Sequence, residues 1–419
     1  MSVITKATRA WLTRSFKPFH FTNTYENKLD YKDTRNLGLY VHIPFCRTLC
    51  EFCPYCKVQY NKNLVDTYIE ALLKEIDMVG STVGIEKKEV TSLYFGGGTP
   101  ALIANEIKYI IQQINKYFTV TEGIGLELHP CDVTEEKLTV LKEAGVTKIS
   151  IGIQSFQIEY LKLLGRGELN YTNMFKALSK VNFETVSMDF IFGLPGQTIE
   201  ILKRDIETAF NNGANHFAIY PFIDFTFTDR KFIKMTNKEK KGLLYEIVDY
   251  CYEQGYVRDS IWTFSKHGSS KYSSMTRENF LGFGCSATTL LEDQFKINTF
   301  DLYEYQKRIN SGNLPTALKL NFSRRQRMIY YLFWTSYTMR VNSTDFKTFF
   351  GESLEQNYGF ELWLARILGF VKKENNQYVM TTKGSYYYYY YENFYTLSYI
   401  DKMWHLMKNE PFPKELIIK

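Results

Sequence analysis

Between residues 37 and 223 short β-branched or aromatic runs recur six times, with a loop and residues at helical spacing between each run and the next. The runs are "LGLYVHI" (37–43), "VTSLYF" (90–95), "GIGLELH" (123–129), "TKISIGI" (147–153), "ETVSMDFIFG" (184–193) and "NHFAIYPFI" (215–223). Each has the length and composition of a strand. The first intervening stretch, "NLVDTYIEALLKEIDMV", places Val65, Tyr68, Ile69, Leu72, Leu73 and Ile76 on one helical face. Strands alternating with helices imply βαβ units and a parallel sheet. Right-handed crossovers between neighbouring strands curl such a sheet into a barrel or part of one, with chemistry in the loops after the strand C-termini. The unusual residues fall there: a cysteine cluster, a glycine run, Glu127, Gln154 and Asp189.

The cysteine cluster is "CRTLCEFCPYC", residues 46–56, holding four of the chain's seven cysteines. Their bunching admits three readings. A zinc site ordinarily uses two well-separated CxxC pairs, and only overlapping units occur here. A redox CxxC ordinarily opens a helix after a strand, whereas "CPYC" ends a cluster. Three or four thiolates on one loop suit an iron–sulfur cluster. A secreted disulfide scaffold is disfavoured: the start "MSVITKATRAWLTRSF" is basic and mildly amphipathic, without the apolar core of a secretory signal. The expected compartment is therefore cytoplasmic. No apolar run approaches the roughly 20 residues of a membrane span. The net charge of +6 is scattered, so no nucleic-acid tract is expected.

With these residues in view, "YVHIPFCRTLCEFC" resembles the CxxxCxxC cluster loop of the radical S-adenosylmethionine (SAM) superfamily. The flanking "HIPFC" is similar to the subgroup of oxygen-independent coproporphyrinogen III oxidase and its relatives. The resemblance continues, in order, through "YFGGGTP", "LELHP", "ISIGIQSF" with "LLGR", "MDFIFGLPGQT" and "GFGCSA", covering residues 37 to about 290. A later "MTTKG" is similar to the subgroup's accessory domain.

The resemblance implies an α/β fold: a partial (β/α)6 TIM-like barrel of the radical SAM type, with a small, mainly helical, winged-helix-like C-terminal domain. It implies that Cys46, Cys50 and Cys53 ligate three irons of a 4Fe-4S cluster, and that SAM chelates the fourth. Reduction then cleaves SAM to a 5′-deoxyadenosyl radical that abstracts a substrate hydrogen. Gly97 and Gly98, with Gly96 and Thr99, would let backbone approach the methionyl end of SAM. Glu127 would also hold SAM. Gln154, Arg166 and Asp189 match positions that bind a second SAM in the porphyrinogen oxidase. Tyr40 and Phe52 match positions beside the first and second SAM, and Ile223 is assigned by offset alone. No catalytic acid or base is assigned. Cys56 departs from the family's pattern and is read as a non-ligand near the cluster. Cys131, Cys251 and Cys285 are read as isolated thiols that pack in loops or core.

Four segments are expected: an N-terminal extension (1–36), the radical SAM core (37–230), a core-completing, substrate-side segment (231–322) and an accessory domain (323–419). Within the last, the six-tyrosine run Tyr386–Tyr391 reads as a helix exposing some rings and burying others in an interface. The porphyrinogen oxidase's "PRYTSYPTA"-like segment is missing from the extension. The expected partners are a small molecule, tetrapyrrole or haem in type, and an electron donor such as flavodoxin or ferredoxin. Three chemistries stay open: hydrogen abstraction from a tetrapyrrole-like or heteroaromatic substrate, radical methyl transfer with two SAM molecules, and haem carriage.

Overall fold

The computed structural model describes residues 3–25, 27–84, 86–226, 235–269 and 278–418. The expected boundary at 230/231 lies outside them.

The six expected strands form at Leu37–Ile43, Leu93–Gly97, Ile124–Leu128, Lys148–Gln154, Thr185–Phe192 and His216–Pro221. They are parallel and lie side by side in chain order. Register brings the functional ends level: Ile43 stands opposite Gly97, Leu128 opposite Ile151, and Asp189 between Gly152 and Ala218. The strands are buried on both faces, as their continuous apolar runs require when helices cover one side. A helix at Lys62–Gly80 follows the first strand and buries Val65, Tyr68, Ile69, Leu72 and Ile76, while Leu73 is half-buried. Its N-terminus is capped by Asn61, whose side chain accepts from Leu64 N.

The sheet continues past both ends of this set, to fourteen strands among the described residues. Beyond the sixth strand lies an antiparallel hairpin. Beside the first strand runs Asn279–Phe283, a further parallel strand, then antiparallel strands at Thr288–Leu291, Gln294–Asn298 and Thr316–Asn321. The two chain ends complete this edge: Phe19–Thr22 pairs antiparallel with Glu415–Ile418, so the termini of the described chain share one strand pair.

Residues 324–380 form a helix, a short strand, two helices and a hairpin. Ser323 and Gln326 form a capping box at the first helix. The hairpin strands Val371–Glu374 and Gln377–Met380 join Arg340–Asn342 in a three-stranded sheet, the wing of a winged-helix arrangement. This module has a small core of its own, including Tyr331, Phe346, Phe350 and Leu354. The six tyrosines lie on the helix Thr382–Tyr395. Tyr389 is buried against Trp262, at 5.1 Å between ring centroids, while Tyr387 is exposed.

Candidate active site

The first strand delivers the cysteine loop. Phe45–Cys46 pairs with Val58–Gln59, so the loop is pinched at its base. Inside it Cys53 N donates to Cys50 O at 3.3 Å. The Lys57 ammonium donates to Cys53 O at 3.0 Å and to Cys50 O. These bonds leave the Cys46, Cys50 and Cys53 thiols half-buried on the wall of one large cavity. Burial pushes the Cys46 thiol up to about 11, against the pull of Thr99, and raises Cys53 as well. Such thiols ionise when they bind a metal, and three on one pinched loop suit an iron–sulfur cluster better than a mononuclear ion.

The second strand ends at the glycine run, and close packing explains its composition. A Cβ on Gly98 would lie 2.6 Å from the Phe45 carbonyl oxygen, which is backbone of the cysteine loop. Gly97 has φ 116°, and a Cβ there would meet the His42 ring at 2.5 Å. The glycines therefore let the two loops touch, and they present bare backbone to the cavity. Glu127, at the end of the third strand, accepts from Gly97 N at 3.1 Å and from the Tyr94 hydroxyl at 3.2 Å. Burial, aided by the charge of Asp189, raises its carboxyl to about 7. A carboxylate so short of cationic partners is suited to an incoming ammonium group, which restores its charged form.

A second set lies across the fourth and fifth strands. Gln154 has φ 70°, the left-handed region that a non-glycine residue enters rarely and often at functional sites. The Arg166 guanidinium donates to Gly152 O and sits 5.8 Å from the Phe52 ring centroid. Its Nε is buried without a hydrogen-bond partner. Asp189 accepts from Ser150 at 2.7 Å and from Ser187 at 3.1 Å, and burial raises it to about 6. An unsatisfied guanidinium N–H and a half-buried acid on one wall fit a zwitterionic ligand such as an amino acid moiety.

Of the ten residues expected around the cofactors, nine line the cavity with the three cysteines: Phe52, Gly97, Gly98, Thr99, Glu127, Gln154, Arg166, Asp189 and Ile223. Tyr40 sits behind the wall, where its hydroxyl meets His42 Nδ1 at 3.0 Å and its ring underlies Gly96. Cys56 is buried and turns away from the cavity; its thiol donates to Phe300 O at 3.2 Å. Cys285 is not an isolated thiol: its sulfur lies with those of Cys56 and the His42 imidazole within 4.8 Å. Sequence spacing hides this contact because 229 positions separate the two cysteines (285 − 56).

The cavity measures about 1410 Å³. Its far wall was not expected from the sequence in detail. It is aromatic, with Tyr330, Phe333 and Trp334 from one helix, Tyr391 and Tyr395 from another, and Tyr399 from the π-helical turn Thr396–Ile400 that continues it. Tyr55 of the cysteine loop meets Trp404 at 5.5 Å, and Trp404 stacks on Phe225 at 5.8 Å. His129 also lines the cavity; burial, then the charge of Arg166, lowers it to about 4, so the ring is neutral.

A radical SAM superfamily model matches residues 40–209. The heme chaperone HemW of Lactococcus lactis is 30% identical over 297 residues, 67% of this chain and 76% of that one. The oxygen-independent coproporphyrinogen III oxidase of Helicobacter pylori strain 26695 is 25% identical over 398 residues, 86% of each chain. Among solved structures, the Escherichia coli coproporphyrinogen III oxidase HemN superposes with a TM-score of 0.76 at 20% identity, over 91% of this chain and 96% of that one. This chain therefore belongs to the radical SAM superfamily, whose cofactors are a 4Fe-4S cluster and S-adenosylmethionine, within the group that holds the oxygen-independent coproporphyrinogen III oxidases and HemW.

Proposed function

We propose that the chain is a radical SAM enzyme acting on a planar, tetrapyrrole-like or heteroaromatic small molecule, with a second SAM seated beside the first. The observation that carries this reading is one continuous cavity joining the cysteine loop to an aromatic wall. At about 1410 Å³ it exceeds the roughly 300–1,000 Å³ of an ordinary ligand pocket, leaving room for cofactor and substrate together.

When bound, the cluster and SAM would supply the radical chemistry that takes a hydrogen atom from the substrate. The chain's own part is positional. Cys46, Cys50 and Cys53 hold the cluster, and Lys57 fixes their loop. Gly97, Gly98 and Thr99 give the methionyl end a close backbone edge, Tyr40 supports that edge from behind, and Glu127 takes the ammonium. Gln154, Arg166, Asp189 and Phe52 form the second seat, with Ile223 at its margin. The aromatic side chains stack the planar substrate and exclude water from the radical. An external low-potential donor of the flavodoxin or ferredoxin kind supplies the electron.

Haem carriage is the competing reading, and His129 weighs against it. Its Nδ1 accepts from Cys131 N at 3.3 Å, so axial ligation through Nε2 would require that bond to break and the proton to move to Nδ1. Among the described residues no other histidine lines the cavity. The test is anaerobic reconstitution with iron and sulfide, followed by dithionite, SAM and candidate tetrapyrroles, with 5′-deoxyadenosine and S-adenosylhomocysteine read by mass spectrometry. 5′-Deoxyadenosine rising with substrate is expected, and S-adenosylhomocysteine beside it would assign methyl transfer to the second SAM. 5′-Deoxyadenosine alone would remove the second-SAM methyl-transfer reading. Neither product, with tight haem binding, would favour the carrier.

A further inference from the structure

Beside the cluster loop, and outside the large cavity, three metal-ligating side chains converge: His42, Cys56 and Cys285. They come from three separate pieces of the fold. His42 lies at the end of the first strand, Cys56 in the loop leaving the cluster cysteines, and Cys285 just after the parallel strand Asn279–Phe283. The first strand and Asn279–Phe283 are paired neighbours, with Val41 opposite Phe283, so His42 and Cys285 emerge at the same end of the sheet. All three side chains are buried, at 3%, 8% and 0% exposure. Among the described residues this is the one His/Cys/Asp/Glu group whose donor atoms all lie within 4.8 Å of one another.

We propose that this trio is a second metal site, separate from the cluster, that takes one zinc ion. Two thiolates and one imidazole are a donor set suited to tetrahedral zinc. Two sulfurs on such an ion stand about 3.8 Å apart, given bonds of about 2.3 Å, so the observed spacing closes on a metal with small side-chain movements. The charge balance favours a divalent ion: two thiolates neutralise it, so the buried site bears no unpaired charge. The surroundings supply the remaining parts. Tyr40 Oη lies 3.0 Å from His42 Nδ1, placed to accept that nitrogen's proton when Nε2 binds metal. His42 Nε2 now bonds Cys56 O at 3.0 Å, a contact that metal binding replaces. The Phe300 carbonyl, which receives the Cys56 thiol at 3.2 Å, loses that donor on ionisation, and its oxygen is then open to the fourth position. Binding releases the two thiol protons to solvent and changes no oxidation state.

Such an ion ties the first strand, the exit of the cluster loop and the closing strand together, and so fixes the loop that carries Cys46, Cys50 and Cys53.

The test uses the full chain, purified anaerobically from zinc-supplemented medium and reconstituted with iron and sulfide. Metal analysis is expected to give about one zinc beside about four irons per chain. Zinc-edge X-ray absorption is expected to show two sulfurs at about 2.3 Å and a nitrogen at about 2.0 Å. Cys285→Ser is expected to bring zinc close to zero while iron stays at the wild-type level. Three overturning results are distinct: zinc absent from the wild type, zinc with three or more sulfurs (an ion lodged in the cluster loop), or a Cys56–Cys285 disulfide seen as a loss of two hydrogens in the intact mass. The absorption spectrum of the wild type decides the matter even if the serine variant fails to fold.

Discussion

Cys46, Cys50 and Cys53 share one wall, and Cys56, three residues on, faces the opposite way. Alanine at any of the first three is expected to abolish the visible absorption of the reconstituted cluster, and alanine at Cys56 to preserve it. Loss of absorption in the Cys56 variant would refute the three-ligand assignment. Arg166→Ala is expected to leave cluster assembly intact while lowering SAM-dependent turnover at least about tenfold, the scale of one lost charge-assisted hydrogen bond. Unchanged turnover would argue against a second SAM seat. Glu127 makes a pH prediction. Its folded value, about 7, lies above its ordinary value of 4.5, so the folded chain binds this proton more tightly than the unfolded chain. The resulting stability is full below pH 4.5 and is lost as pH rises through 7. It amounts to at most about 3 kcal/mol. Thermal melts of the cofactor-free chain are expected to fall over that window, and Glu127→Gln to flatten the fall. These residues were legible because family motifs fix their spacing; the Cys56–Cys285 contact was not, since nothing local marks partners so far apart.

Helices and strands were legible where the hydrophobic period was clean. The run after residue 62 shows its buried face in the sequence, and the helix forms there. The strands Phe19–Thr22 and Glu415–Ile418 were not legible. Each is four residues long and lies at the sheet's edge: Glu415–Ile418 pairs with Phe19–Thr22, which pairs in turn with Thr316–Asn321. The glycine run offers the sharpest test at this scale. Gly98→Ala forces a Cβ against backbone of the cysteine loop at 2.6 Å. It is expected to cost about 1–3 kcal/mol and to weaken SAM binding more than folding. Calorimetric titration with SAM beside a thermal melt checks it, and unimpaired binding would contradict the close-packing account.

At the scale of the whole molecule, the C-terminal module supplies the cavity's aromatic wall while keeping a core of its own. The tyrosine helix is its joint with the barrel. Tyr389→Ala removes a ring packed on Trp262 and is expected to cost about 3–5 kcal/mol, whereas Tyr387→Ala, at 45% exposure, is expected to cost under about 1 kcal/mol. Denaturant melts of the two variants give the comparison. The run suggested an interface from composition alone; which ring faces inward depended on helical phase relative to a barrel that the sequence does not orient. Among the described residues no helix is long and apolar enough to cross a membrane. On the proposed function, the cysteine loop and the glycine edge cooperate in one reductive chemistry. Its most direct measurement is 5′-deoxyadenosine formed by the reduced, reconstituted chain from SAM, with Cys50→Ala alongside. Steady production by the wild type and none by the variant is the predicted result; no production by a wild type carrying its full complement of iron would contradict it.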